Sequence, residues 1–148
     1  MKPLMFIALI MVVSGCNKLV LQPADFSWPM ESVLNIDNSG EIADKRYTFK
    51  INVKPIYYEE FADSNQAPGK EIRIIRDKSG FYYFTGAGFK NIYVFYPVQG
   101  GMMLEEIINI PDNMPLQRPV FNMKSSGIEL IDGISHYLII GSTITRSK

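Results

Sequence analysis

The sequence predicts an all-β domain, an antiparallel β-sandwich or small barrel of about seven to nine strands, after an N-terminal signal helix. Three observations carry that expectation. Residues 46–54, RYTFKINVK, alternate apolar and polar side chains without a break, the period of a strand with one dry face and one wet face. From residue 71 onward, aromatic and β-branched runs (EIRIIR, FYYFTG, NIYVFYPV, MLEEIINI, IELI, SHYLIIGS) recur between turn sequences such as DKSG, QGG and DG. Several of those runs, 81–84 and 92–96 above all, are apolar on both faces. No long amphipathic helix follows residue 16 to cover them, so a second sheet or closure of the sheet must.

The elements follow in chain order. Lys2 precedes ten consecutive apolar residues, 4–13, and small residues Ser14 and Gly15 end the run at Cys16. That is the layout of a secretory signal peptide. A membrane-spanning helix needs about 20 apolar residues, so the run is too short to be a permanent span. Val13-Ser14-Gly15-Cys16 resembles the lipobox of bacterial lipoproteins, in which an aliphatic residue and two small ones precede the cysteine. The resemblance covers residues 1–16. It implies cleavage between Gly15 and Cys16, a diacylglycerol on the Cys16 sulfur, and usually acylation of the new amine. The chemistry suits a thiol, whose thiolate is a good nucleophile. Asn17 stands where many lipoproteins kept at the inner membrane carry aspartate, which implies the outer membrane, facing the periplasm. Two or three chains on one cysteine hold a protein to a bilayer firmly, where one chain alone is marginal.

Residues 16–27 are then the lipidated N-terminus and tether, and 28–148 a single all-β domain. Residues 17–27 reach at most about 36–40 Å, so the domain stays near its membrane. Basic and acidic residues number 15 each, and the absence of a basic excess argues against nucleic acid as a partner. Cys16 is the only cysteine, so no internal disulfide is available to the domain.

Within the domain, SVLNID (32–37) reads as a strand, NSG as a turn, and 46–54 as its antiparallel hairpin partner. Residues 57–63 fit either a strand end or a short helix, and 64–69 a loop. The strands 71–76, 81–86, 91–98 and 103–110 follow, then the Pro-rich stretch PDNMPLQRP. A hairpin at Asp132-Gly133 joins 128–131 to 135–142. Residues 77–110 also look like one blade of a β-propeller, with an aromatic strand, a strand like NIYVF and a GG turn. A propeller needs at least four blades of about 40 residues, more than this chain holds, so the likeness implies a β-meander only.

Candidate chemistry is sparse. His136 is the only histidine, so no multi-histidine metal site exists; it falls on one strand face with Leu138 and Ile140, at a sheet margin. Asn35, Asp37, Ser39 and Gly40 match the first, third, fifth and sixth places of a calcium loop. The twelfth place, which needs a bidentate glutamate, is Arg46, so a hairpin turn is expected. Glu59-Glu60 and Glu105-Glu106 are paired carboxylates, but neighbours on a strand point to opposite faces, which reads as surface charge. Gly86-Ala87-Gly88 lacks the following helix a phosphate cradle needs, and no serine sits in a G-x-S-x-G elbow. No cofactor or metal is expected.

One feature has functional pull. Trp28, Tyr82, Tyr83, Tyr93 and Tyr96, with Tyr57 and Tyr58, exceed what a minimal core needs. Core filling is one use for them. The other is a contact surface, since Tyr and Trp dominate binding hot spots. The resulting expectation is a non-enzymatic accessory lipoprotein of the cell envelope, held to the membrane through the lipid on Cys16. Its partner is expected to be another envelope protein, met by an edge strand or an aromatic patch. A glycan- or small-ligand-binding module is the alternative, and a carboxylate hydrolase a further one.

Overall fold

The computed structural model describes residues 30–44 and 49–147. The signal segment 1–15 with its cleavage position Gly15, the tether 16–27 with Cys16, and Trp28 lie outside them. The described residues hold eleven strands and one α-helix: β1 (Ser32–Asn35), β2 (Glu41–Asp44), β3 (Phe49–Asn52), α1 (Lys54–Phe61), β4 (Glu71–Arg76), β5 (Tyr82–Thr85), β6 (Asn91–Val98), β7 (Gly101–Asn109), β8 (Pro119–Met123), β9 (Ile128–Asp132), β10 (Ser135–Ile140) and β11 (Thr143–Ser147). All pairings are antiparallel. One sheet runs β1-β4-β5-β6-β7, a second β11-β10-β9-β8, and β2-β3 form a two-stranded ribbon. The domain is all-β. The count exceeds about seven to nine because β2 and β11 are short and weakly apolar and β8 opens on a proline.

The hairpin expected between 32–37 and 46–54 is not formed. β1 pairs with β4, Ser32 opposite Ile74, and β3 pairs with β2, Ile51 opposite Ile42. The reason is a tight reversal at 37–40. Asp37 Oδ1 accepts hydrogen bonds from the Ser39 amide, the Ser39 hydroxyl and the Glu41 amide. Gly40 adopts φ +84°, where a Cβ would also strike the Lys54 side chain at 2.5 Å. The chain leaves β1's sheet there and starts a new strand at once. The buried Ser32 hydroxyl, donating to Asp44 Oδ2 at 2.5 Å, ties that strand back to β1.

Residues 57–63 resolve mainly as helix. Pro55, with its φ preset, sits in the first turn, and Ala62 closes α1 in the left-handed region, its N–H donating to the Tyr58 carbonyl. α1 buries Ile56 and Tyr57. Tyr57, Phe61, Phe89 and Tyr93 form a cluster of tilted and edge-to-face rings.

The four-strand meander β4–β7 matches the expectation for residues 71–110. Its registers define one cross-strand row, Ser32–Ile74–Phe84–Tyr93–Ile107, on the face that α1 covers. The opposite face carries Ile75, Tyr83 and Val94 in its own row. In the second sheet Phe121, Leu130 and Tyr137 form a buried row, as do Met123, Ile128 and Ile139, Met123 only partly buried. Tyr83 lines one cavity with Met123, Ile128 and Ile139, so the second sheet lies against that opposite face.

Glu31 joins the two sheets. Its Oε1 pairs with Arg73 on β4, and its Oε2 accepts the Phe121 amide of β8 at 2.8 Å. A β-bridge between Met30 and Asn122 lies beside it. Burial pushes the Glu31 carboxyl above its ordinary value, against the lowering effects of the Phe121 amide and the Arg73 guanidinium. Removing one partner of a desolvated pair strands the other. Glu31→Ala is therefore expected to destabilise the protein by about 2–4 kcal/mol, and Glu31→Gln, which keeps an acceptor for Phe121, by less. Urea unfolding midpoints of the purified variants measure this. An unchanged midpoint for Glu31→Ala would show that the tie contributes nothing.

Candidate functional site

The tyrosines do not form one surface. Tyr93 and Tyr83 are only 1% and 3% exposed and belong to the core. They lie on opposite faces of the first sheet, as successive rows of the ladder require. Each hydroxyl has a carboxylate: Tyr93 Oη donates to Glu60 Oε2 at 2.7 Å, and Tyr83 Oη to Asp77 Oδ2 at 3.3 Å. Burial first, then the facing carboxylate, raises both phenols far above the ordinary value. Tyr82 and Tyr96 are half-buried; Tyr82 lies under the Arg76 guanidinium, and Tyr96 packs edge-on to Phe81.

Of the paired carboxylates Glu60 has a structural use, while Glu59 and Glu105 are exposed as expected of surface charge. Glu60, on α1, accepts the Tyr93 hydroxyl, the Asn91 side-chain amide at 2.8 Å and the Lys90 backbone amide, fastening the helix to β6. Glu105 sits at a β-bulge: Val94 pairs with Glu106 and Phe95 with Leu104, leaving Glu105 without a cross-strand partner. His136 lies inside its sheet, on β10 between β9 and β11, and not at a margin. Its Nδ1 lies 3.2 Å from Glu129 Oε1, whose carboxyl is held below the usual range chiefly by Lys124. Asp37 is engaged by its own turn, as above. Among the described residues no group of three or more His, Cys, Asp or Glu is placed to hold a metal ion.

The feature that stands out is an apolar groove between the start of α1 and the β6–β7 hairpin. Two adjoining cavities, about 160 and 190 Å³, share Pro55, Ile56 and Phe95. Ile51 and Met102 extend one cavity, and Leu104, 43% exposed, borders the other. Glu59 is the one charged residue lining either. β7 is the edge of its sheet, so residues 101–104 border the groove with one side of their backbone unpaired by any described strand. Beyond Leu104 the bulge and the two glutamates interrupt the edge. Of the lining residues the sequence singled out Tyr93, as a contact residue, and Glu59, as a paired carboxylate; Pro55, Ile56, Phe95, Met102 and Leu104 did not stand out. The signal available was charge: from Asn91 to Leu104 no residue carries one.

A second recess, about 240 Å³, lies at the other end of the first sheet, lined by Tyr57, Lys70, Glu71, Arg73, Gln117 and Arg118 among others. Tyr57 is 2% exposed, and its hydroxyl has no hydrogen-bond partner among the described residues. Burial raises that phenol to about 12.

In comparisons with protein-family models, curated proteins and solved structures, the chain matches none.

The Glu60 arrangement gives a direct expectation. Glu60→Ala leaves the buried Tyr93 hydroxyl and the Asn91 amide without their acceptor, at a cost of about 1–3 kcal/mol. Adding Tyr93→Phe should recover part of that loss in a double-mutant cycle read by thermal or urea unfolding. Strict additivity of the two substitutions would count against the bond.

Proposed function

We propose that this protein is a non-enzymatic, lipid-anchored accessory lipoprotein of a bacterial cell envelope, presenting a protein-binding surface close to the bilayer. The anchor is the diacylglyceryl group on Cys16, by the resemblance of Val13-Ser14-Gly15-Cys16 to a lipobox. Asn17 favours the outer membrane, facing the periplasm. The observation that carries the partner reading is the apolar groove of Pro55, Ile56, Phe95 and Leu104 beside the unpaired edge at 101–104. An extended segment of an envelope protein fits such a place. Backbone hydrogen bonds to the edge supply affinity, and apolar side chains dropped into the groove supply choice of partner. The bulge at Glu105 limits pairing to a short segment, which suits a specific contact better than open-ended strand addition.

A second reading, binding of a small polar ligand, is favoured by the recess at Tyr57. Lys70, Arg73 and Arg118 line it together with Tyr57 and offer donors to an oxygen-rich molecule.

Cross-linking in intact envelopes, then purification of the acylated protein from detergent, tests the leading reading. One envelope protein should be captured reproducibly, and Leu104→Glu, at an exposed position, should reduce its yield several-fold without lowering the amount of lipoprotein. Equal capture by Leu104→Glu would remove the groove from the proposal. Cys16→Ser should leave an uncleaved precursor or a released, unacylated form, and unchanged processing of this variant would remove the anchor.

A further inference from the structure

We infer that the tip of the β6–β7 hairpin is the membrane-facing end of the protein, seated in the headgroup layer of the bilayer that holds the lipid on Cys16. The inference rests on the anchor proposed above and goes on to say which surface meets the lipid.

Register places the relevant parts at one end of the first sheet. Ser32, Ile74, Phe84 and Tyr93 share a row. Two residues further along β4, β5 and β6 come Arg76, Tyr82 and Phe95, with Leu104 opposite Phe95, while Met30, two residues before Ser32, bridges to Asn122 of β8. The segment leading from Cys16 therefore enters the domain at the end from which the hairpin projects. Residues 17–29 extend at most about 43–47 Å, so that end lies within reach of the bilayer without the chain passing along the domain.

The hairpin overshoots its neighbours. β5 pairs with β6 only as far as Phe95, whereas β6 and β7 continue through Tyr96–Met103, Pro97–Met102 and Val98–Gly101. Phe81, bonded to Asp77 across the β4–β5 turn, packs against Tyr96, so two pairs, about 7 Å, continue past it. An interfacial element buries its apolar side about 5–10 Å into the headgroup and acyl boundary, so the projection matches the depth available.

The tip has the composition that position needs. No residue from Asn91 to Leu104 is charged. Val98 and Met103, neither of which lines the groove, are exposed, and so is Met30 beside the chain entry. Tyr96 offers an apolar ring with a hydroxyl at its edge, a pattern favoured at membrane interfaces. On the neighbouring 77–80 turn Lys78 is exposed, suited to anionic headgroups. The opposite end carries Asp37, Glu41, Lys70, Glu71, Asp112 and Arg118, groups that lose hydration in a headgroup layer.

Fluorescence in vesicles tests this. Val98→Cys, Met103→Cys and Ile134→Cys are labelled with an environment-sensitive dye; an acylated Cys16 is a thioether and takes no label. Ile134 is 98% exposed and lies in the turn after β9, at the opposite end. The acylated proteins are inserted into phosphatidylethanolamine–phosphatidylglycerol vesicles, some carrying brominated acyl chains. The dye at positions 98 and 103 should shift to the blue and be quenched several-fold more strongly than at 134. Should Val98→Cys fail to fold, Met103→Cys carries the test alone. Equal quenching at both ends, with Cys16 shown acylated by mass spectrometry, overturns the orientation and leaves the anchor standing. A bare Cys16 thiol overturns both.

Discussion

Glu31 holds the architecture together. One carboxylate, set at the start of the edge strand β1, reaches Arg73 in its own sheet and the Phe121 amide in the other. Both sheets are antiparallel ladders that satisfy their own backbones, and nothing in a ladder specifies where the second sheet sits on the first. Apolar burial drives the two together without choosing a register, because it is non-directional. The Glu31 contacts choose one. They set β8 beside β4, and the buried rows around Ile75 and Leu130 then meet in a single core. Burial works against the charged carboxylate at that position, and the amide and the guanidinium offset it only in part. Positional specificity is thus obtained at some cost in desolvation.

The same device recurs. Glu60 takes the Lys90 amide, Asp77 the Phe81 amide, Asp132 the amides of Gln117 and Arg118, and Asp37 those of Ser39 and Glu41. Each carboxylate accepts from backbone that no ladder satisfies, and several join separate elements. A domain without an internal disulfide needs such ties where its loops are long. They also account for Glu60, one of the carboxylates paired in the sequence. Glu60, the half-buried member of its pair, already has both oxygens engaged.

What the sequence disclosed follows from the same physics. The meander of residues 71–110 was legible because its runs are aromatic and β-branched and its turns are rich in glycine. The partner of RYTFKINVK was not, because Asp37 caps a reversal so tight that the short, nearly polar EIAD becomes the strand. β8 was hidden by Pro119 and the proline-rich stretch before it. The tyrosines were ambiguous for another reason. FYYF and IYVFY are apolar on both sides, so alternation cannot say which face meets water, and both Tyr83 and Tyr93 went to the core once Asp77 and Glu60 were placed to accept their hydroxyls. The groove at Pro55, Ile56 and Phe95 was out of reach of sequence reasoning, since it depends on a helix that composition left undecided and on where the first turn of that helix meets β6 and β7.

The distribution of charge along the sheet connects this construction to an orientation. The end where β4 and β6 begin has the carboxylate ties at Asp37, Glu60 and Asp132, together with Lys70, Glu71 and Arg118. The hairpin at the other end has no charged residue between Asn91 and Leu104, although its tip lies outside the core and gains nothing from burial within the domain. A solvated hairpin of that length ordinarily carries lysine or glutamate, which keep an exposed ribbon soluble and unpaired. In β7 those guards begin only at Glu105, at the bulge, level with the end of the β5–β6 pairing. The uncharged stretch therefore coincides with the part of the hairpin that projects, and the protection against unwanted pairing resumes where the projection ends. That coincidence is what the proposed seat of the hairpin in a headgroup layer requires.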